Sequence, residues 1–300
     1  MTPSLHTIML LVNPNIHTPA QQSTTPARPT RRHPRNQNTK KVDILLRMRK
    51  LGSMLSTTQI QQRQQGLSAT DIAKLSGENP WGGPIQVYED KTSPIEVLLE
   101  RENQSSNKEI TGQILEAAIA KRYTYDATPD QQSLRILQTR ETYQHKTISW
   151  AMATPNRFIF VRPPEQHISQ ASLRAFIKSG RKADWLLECE AVGTRVGHHW
   201  GLNEYSNDQN CDRIPPYVYA RVQWQVEVCG YDRVDVAALL YGDTFKVFQI
   251  ERDQKYIDAL IEIGNYFWTE HVLKRIPPPS DGSDQYSEPL KRLYPFSITV

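Results

Sequence analysis

The sequence predicts an α/β fold in which helices flank one mixed central sheet. Apolar runs of strand length stand at 134–140, 146–153, 157–162 and 185–193, and they contain many of the β-branched and aromatic residues that strands favour. Segments with helical spacing lie before this block, inside it and after it. Because strands and helices alternate in this way, they are expected to build one sheet with helices packed against it.

The composition is that of an ordinary globular protein. Of 300 residues, 38% are hydrophobic and 23% are charged, which is enough for one sizeable core or two small ones. No apolar run approaches the ~18 residues of a membrane-spanning helix, and IMLLV at 8–12 is too short for a signal-peptide core. The cysteines Cys189, Cys211 and Cys229 are odd in number and form no CxxC pair, which argues against a disulfide framework or a zinc site. We therefore expect a cytoplasmic protein without a membrane contact.

Charge is unevenly distributed along the chain. Residues 1–50 hold nine Lys or Arg against one acid, Asp43, so the formal net charge of +4 divides into about +8 here and about −4 elsewhere. The stretch 13–41 is rich in Pro, Thr, Gln, Asn and Arg and poor in large apolar residues. Such a composition cannot offset its own ordering entropy.

Three regions follow from this pattern. Residues 1–56 are predicted to be a disordered basic arm, which is either a solvated tail or a non-specific contact for phosphates. Residues 57–276 form the predicted folded domain. The prolines of IPPPSDG then mark 277–300 as a C-terminal tail.

The helices of the domain can be placed by their caps and apolar spacing. In GLSATDIAKLSG, Ser68 is a predicted N-cap and Gly77 a predicted stop. From residue 107 to 123, a stripe through Ile110, Ile114 and Ala118, which can extend to Leu115 and Ile119, predicts a longer amphipathic helix with Glu116 near the edge of that stripe. The remaining predicted elements are a helix within SQASLRAFIKSG, a helix over 216–229, strands in RVDVAALLYGD and TFKVFQIER, and a helix over 253–274.

The stretch LLECEAVG, residues 186–193, carries two acids on an apolar strand. Because strand side chains alternate between faces, Glu188 and Glu190 share one face, about 7 Å apart. Two like charges buried side by side cost several kcal/mol unless a cation or a metal ion compensates them. The strand therefore implies a positively charged partner.

Six ordered segments resemble one family. They are GLSATDIAKLSGENPW, GQILEAAIAKRY, ATPNRFIF, WLLECEAVG with HHWG after it, IPPYVYARVQWQVEVCG and FQIERDQKYIDALIEIGNYFWTEHV. In order and spacing, over about residues 57–276, the series resembles the YqaJ-like viral recombinases, relatives of lambda exonuclease in the PD-(D/E)xK nuclease superfamily. The resemblance implies a restriction-endonuclease-like core.

The same resemblance implies an activity and its partners. The expected reaction is hydrolysis of phosphodiester bonds, 5′-to-3′ on duplex DNA, with Mg²⁺ or Mn²⁺ as cofactor. The expected substrate is a double-stranded DNA end in phage-like homologous recombination. A single-strand annealing protein is the expected partner, and a homo-oligomeric ring is the assembly that the resemblance suggests.

Matching the family's motif position by position gives five candidate catalytic residues. The helix glutamate and the first strand glutamate of the family correspond to Glu116 and Glu188, and both are intact. The aspartate after proline corresponds to Asn156, which with the two glutamates makes up the expected metal ligands. The lysine of Glu-x-Lys corresponds to Glu190, and a helix glutamine corresponds to Arg221. The interval between Asn156 and Glu188 is also longer than the family suggests.

Three further residues are candidates for DNA contacts. The family's 5′-phosphate pocket corresponds to Arg63 and Thr70, and a guanidinium suits this task because it binds phosphate through two hydrogen bonds. Gln223 faces either DNA or the sheet, and the sequence does not choose between these positions.

Asn156, Glu190 and Arg221 differ from the residues that the family has at these positions, and these differences predict an impaired nuclease. The usual quartet of Glu, Asp, Glu and Lys has a charge of −2, whereas Glu116, Asn156, Glu188 and Glu190 have −3. The lost cation commonly costs a factor of about 10² to 10³ in rate. Three interpretations of Arg221 remain open: a relocated catalytic cation, an ion pair with Glu190, or no contact with the site. A module that binds DNA ends or a recombination partner without catalysis is the alternative function.

Overall fold

The computed structural model describes residues 55–77, 79–103, 107–126, 134–161, 169–180, 182–200 and 214–279. Residues 1–54 of the predicted basic arm and residues 280–300 of the predicted tail lie outside the described residues. In the described part, no helix is both long and apolar enough to span a membrane.

The helices are α1 (Thr57–Gln64), α2 (Ala69–Leu75), α3 (Pro84–Thr92), α4 (Ile95–Asn103), α5 (Asn107–Asp126), α6 (Gln170–Lys178), α7 (Pro216–Cys229) and α8 (Gln254–Phe267). The described residues also contain a 3₁₀ turn at Gly197–Trp200 and a π-helical turn at Trp268–Leu273. The strands are β1 (Leu134–Gln138), β2 (Tyr143–Gln144), β3 (Met152–Ala153), β4 (Arg157–Val161), β5 (Trp185–Val192), β6 (Arg233–Leu240) and β7 (Thr244–Glu251).

The main sheet has five strands in the order β1-β4-β5-β6-β7. Strands β5 and β6 are parallel, with Glu188 beside Val236, and the other neighbours are antiparallel. The parallel pair requires a crossover, which α7 provides. The predicted α/β class with a mixed central sheet flanked by helices is therefore confirmed.

The two faces of the sheet carry different helices. On one face, α5 packs on Leu187, Cys189 and Ala237 in a small core cluster. On the other face, α7 and α2 pack on Leu186, Val236 and their neighbours in the main core. Because alternate residues of β5 point to opposite faces, Glu188 and Glu190 point toward α7.

The N-terminal helices are fixed by capping boxes and one buried ion pair. Ser68 caps α2 and shares hydrogen bonds with Asp71, as the sequence predicts. Lys91 Nζ lies 2.7 Å from Asp71 Oδ2 and also donates to the carbonyl of Arg63. Burial would raise the pKa of Asp71, but the charge and hydrogen bond of Lys91 outweigh it and hold this pKa below its usual value. The pair thus locks the end of α1 against α3.

The apolar stripe predicted for α5 is rotated in the structure. Ile114 is 65% exposed and Ala118 is also exposed, whereas Ile119 and Tyr123 are buried; the side chain of Ile110 lies outside the described residues. The prediction is therefore wrong for Ile114 and Ala118 and right for Ile119 and Leu115, which pack in the smaller core cluster. Tyr123 extends this buried face, and its hydroxyl donates to Asp235 on β6. Glu116 stands one helical turn before Ile119 and Ala120, at the edge of this face.

The predicted strand 146–153 is also shorter than expected. Met152 and Ala153 form β3, while Trp150 precedes them in a turn. The first half of the predicted strand forms a turn instead, in which the Ala151 amide donates to the Ile148 carbonyl and the amides of Thr147 and Ile148 donate to Nδ1 of His145. After the turn, the Leu67 amide donates to the Trp150 carbonyl, and the Leu67 carbonyl accepts from the Met152 amide. This bridge joins the start of α2 to the region of the sheet that precedes Asn156.

Candidate active site

Arg221 is the cation that faces the paired acids of β5. Its guanidinium forms an ion pair with Glu190, and the same Nη2 atom lies 3.4 Å from Oε1 of Glu188. Arg221 occupies the second turn of α7, and its side chain reaches the two acids of β5. Of the three interpretations open at the sequence level, the ion pair with Glu190 is the one that the structure contains.

Gln225 is a site residue that the sequence reasoning missed. It stands one turn after Arg221 on α7, is 3% exposed, and donates from Nε2 to Oε2 of Glu188 at 3.2 Å. Its own Oε1 is buried without a hydrogen-bond partner among the described residues. The signal was available in the sequence, because positions four apart on a helix lie on the same face.

Asn156 lies between Glu116 and a second cation. Its Nδ2 donates to Oε2 of Glu116 at 3.4 Å, and its Oδ1 accepts a hydrogen bond from the guanidinium of Arg157. Arg157 is 2% exposed, so its charge is held inside the protein. Arg157 is not among the site residues predicted from the sequence, although a cation beside an expected metal ligand is itself an indication of charge compensation.

The electrostatics of the site follow from these contacts. Burial, and then repulsion from Glu188, raise the pKa of Glu116, while the nearby Arg157, Asn156 and Arg221 oppose the rise. Three carboxylates and two guanidinium groups together leave one net negative charge. Arginines therefore supply most of the compensation that the paired acids of β5 require.

The side chains, as arranged, do not fit a magnesium ion. Mg²⁺ requires a near-octahedral shell of oxygen atoms and retains several waters. Both oxygens of Glu188 face nitrogen groups of α7, and the carbonyl oxygen of Asn156 is used by Arg157. Within the described ranges, no three His, Cys, Asp or Glu side chains converge as a metal ion requires.

A cleft of about 610 Å³ opens beside Glu116 and Asn156. Arg63 is exposed and lines it, together with Arg140. Thr70 is exposed at the second position of α2 and is not among the described residues that line the cleft. The remaining walls are formed by Leu55, Ser56, Thr57, Thr58, Gln59, Gln138, Thr139, Thr142, Thr154 and Pro155.

Gln223 is placed inside the protein and away from this cleft. It is fully buried, its Nε2 donates to the carbonyl of Glu251, and its Oε1 accepts from the amide of Asp253. Both ends of the amide thus fix the connection between β7 and α8. Of the two orientations that the sequence left open for Gln223, DNA or the sheet, the structure contains the one toward the sheet.

The family profile of the YqaJ-like viral recombinase domain matches residues 60–232, which is more than half of the chain. The chain belongs to this family. The matched range contains all of the candidate site residues, from Arg63 to Gln223. The family predicted from the six ordered segments is therefore confirmed.

The chain is similar, at low sequence identity, to one YqaJ protein and to one solved exonuclease structure. The uncharacterized protein YqaJ of Bacillus subtilis is 25% identical over 235 residues, which is 78% of this chain and 61% of that protein. The chain thus spans less than two thirds of that relative's length. LHK-Exo in complex with dAMP superposes with a TM-score of 0.48 at 15% identity, over 78% of this chain and 95% of that one. LHK-Exo is an alkaline exonuclease from Laribacter hongkongensis.

Glu116→Gln is predicted to change how stability depends on pH. A carboxyl with a raised pKa binds its proton more tightly in the folded state than in the unfolded state. The protonated Glu116 therefore stabilises the fold in acid, and this stabilisation is lost as the pH rises from the usual pKa of the carboxyl through its raised pKa. The variant should match the parent protein in acid and be more stable near neutral pH. Urea unfolding at a series of pH values in EDTA measures this difference.

The exposed Glu100 on α4 supplies the matched control. Glu100→Gln should leave the pH profile of the parent protein unchanged. A difference between Glu116→Gln and the parent that stays constant with pH, or a loss of stability at neutral pH, would contradict the assigned electrostatics.

Proposed function

We propose that this domain acts at the ends of double-stranded DNA in phage-like homologous recombination, and that hydrolysis of phosphodiester bonds is weak or absent in this chain. Membership of the YqaJ-like viral recombinase family supports the first part. The observation that carries the second part is the contact of Arg221 with both Glu188 and Glu190.

The contact bears on hydrolysis through charge. By resemblance, the position of Glu190 belongs to a lysine that stabilises negative charge as the phosphate reacts. The carboxylate of Glu190 at this position repels the phosphate. Arg221 compensates that carboxylate, but the resulting ion pair has no net positive charge left to stabilise the phosphate. Arg221 therefore does not replace the lysine, because its guanidinium is already occupied by two carboxylates.

A metal-assisted reaction also needs free oxygen ligands. When bound, a divalent ion in such a site lowers the pKa of a water molecule and stabilises charge on the phosphate. Glu116, Asn156 and Glu188 are the residues expected to hold Mg²⁺ or Mn²⁺, but both oxygens of Glu188, the amide oxygen of Asn156 and Oε2 of Glu116 face nitrogen donors. A metal ion must compete with these donors before it can bind.

The DNA end itself is proposed to enter the cleft lined by Arg63. The guanidinium of Arg63 is exposed there and can hold a terminal phosphate through two hydrogen bonds. Thr70 lies outside the cleft walls, so threonine hydroxyls within the walls are better placed to assist. The annealing partner and the ring assembly implied by the resemblance belong to the same proposal.

The proposal predicts little degradation of linear, 5′-phosphorylated duplex DNA by the purified chain with Mg²⁺ or Mn²⁺. The triple variant Asn156→Asp, Glu190→Lys, Arg221→Gln should cleave at least about 10²-fold faster, because it restores the ligand and the cation. Release of nucleotides from an end-labelled duplex, followed over time, measures both rates.

A matched triple variant separates restoration from a general effect of substitution. Asn156→Asp, Glu190→Gln, Arg221→Gln restores the ligand without the cation and should remain slow. Processive degradation by the parent protein would contradict the proposal, as would equal rates for the two triple variants.

A second candidate function is binding of DNA ends without hydrolysis. It is favoured by Arg157 and Arg221, which reduce the negative charge of the site from three to one, so that a phosphate is repelled less when no metal ion is bound. In this case the parent protein should bind duplex ends equally well in EDTA and in Mg²⁺ at matched ionic strength. Arg63→Ala should weaken binding about tenfold, because it removes a charge-assisted hydrogen bond to phosphate.

Fluorescence anisotropy with a labelled duplex measures this binding. Lys255→Ala, at an exposed position on α8, is the control for loss of one positive charge. DNA binding that requires Mg²⁺ would exclude the second candidate function. An equal loss of DNA affinity in Arg63→Ala and Lys255→Ala would exclude a specific phosphate contact by Arg63.

A further inference from the structure

Helix α6 lies in the long interval between Asn156 and Glu188 and is firmly attached to the domain. Leu173 is fully buried in the main core, and Phe176 and Ile177 pack against that core. At the start of the helix, Gln170 Nε2 donates to the carbonyl of Ile136 on β1 at 2.7 Å. The helix is thus a fixed part of the sheet edge that β1 forms.

The outer face of α6 carries only positive charge. Arg174 and Lys178 are exposed and stand four residues apart, and residues 169–180 contain no acid. Like charges at this spacing repel each other and weaken a helix slightly. The arrangement therefore has a small cost within the protein, which an anionic partner would remove.

A groove separates this face from the end of β1. It has a volume of about 320 Å³, and its walls include Arg140, Arg174 and Lys178. Glu141 is the single acid among its lining residues, so the walls carry a net charge of +2. Leu137, Tyr143 and Ile177 form the apolar part of the wall.

The groove continues the candidate active-site cleft. Gln138, Thr139 and Arg140 line both, so the two depressions meet where β1 ends. A polymer held at one end in the cleft can therefore extend directly into the groove. A chain of regularly spaced phosphates is the anion whose shape matches this continuity.

We propose that the groove between α6 and β1 binds the sugar–phosphate backbone of DNA that extends beyond the end held in the cleft. Arg174 and Lys178 contact successive phosphates in this arrangement, and Arg140 stands at the junction with the cleft. The inference rests on the proposed function, because the cleft must first hold a DNA end.

The test is the salt dependence of DNA binding. Each phosphate contact contributes about 0.9 to the slope of log K against log salt for duplex DNA and about 0.7 for single strands. Arg174→Ala/Lys178→Ala should therefore lower the slope by about 1.8 if the groove holds a duplex and by about 1.4 if it holds a single strand. Anisotropy in EDTA, with a labelled duplex and a labelled single strand of equal length, measures both.

Two further variants complete the design. Lys246→Ala/Lys255→Ala removes two cations on β7 and α8, away from the β1 edge, and should leave the slope almost unchanged. Arg174→Lys/Lys178→Arg retains both charges and should retain the slope of the parent protein. Thermal melting confirms that each variant is folded.

The outcomes separate this inference from the function on which it rests. If the parent protein binds DNA ends and Arg174→Ala/Lys178→Ala leaves the slope unchanged, the groove does not bind DNA, while the proposed function stands. If the two double alanine variants lower the slope equally, the inference is likewise overturned. If the parent protein binds no DNA at low salt, the proposed function and the inference both fail.

Discussion

The acids on β5, one buried and one half-buried, require positive charge beside them. Glu188 and Glu190 point into the space between the sheet and α7, where Arg221 is the neighbouring cation. Without Arg221, the charge of the buried Glu188 and of the half-buried Glu190 would lose this compensation. The placement of α7 over β5 and the chemistry of the site therefore depend on the same contact.

A second compensated pair extends this arrangement to the other side of the site. Glu116 comes from α5 on the opposite face of the sheet, and its partner Asn156 is bonded in turn by the buried Arg157. Carboxylates from both faces thus meet near the start of β4, each with an arginine close by. The three carboxylates of the candidate site are thus largely compensated by two of the protein's own arginines.

Local sequence signals predicted the elements, whereas long-range contacts decided the site. The Ser68 cap and the bounds of α7 follow from residues within one or two turns, so they could be read correctly from the sequence. The buried face of α5 could not, because it depends on the bond from Tyr123 to Asp235, which lies 112 residues away. Propensity and periodicity contain no information about such partners.

The site shows the same division. Glu188 and Glu190 share a face because of strand geometry, and a compensating cation was predicted on physical grounds. The choice among the interpretations of Arg221 depends on how α7 is placed relative to β5, which the sequence does not give. Gln225 was not predicted because its partner, Glu188, lies on another element. The two acids on one strand face show that a positive charge must lie nearby, and the fold shows that Arg221 supplies it.

Arg221 supplies the positive charge beside Glu188 and Glu190 that a divalent ion would otherwise supply. Isothermal titration calorimetry of Mg²⁺ into the parent protein and into Arg221→Gln measures whether the two cations exclude each other, with the exposed Lys255→Gln as the control. We expect saturable binding by Arg221→Gln and none by the parent protein or the control. Equally tight Mg²⁺ binding by the parent protein and Arg221→Gln would show that Arg221 does not take the place of the ion.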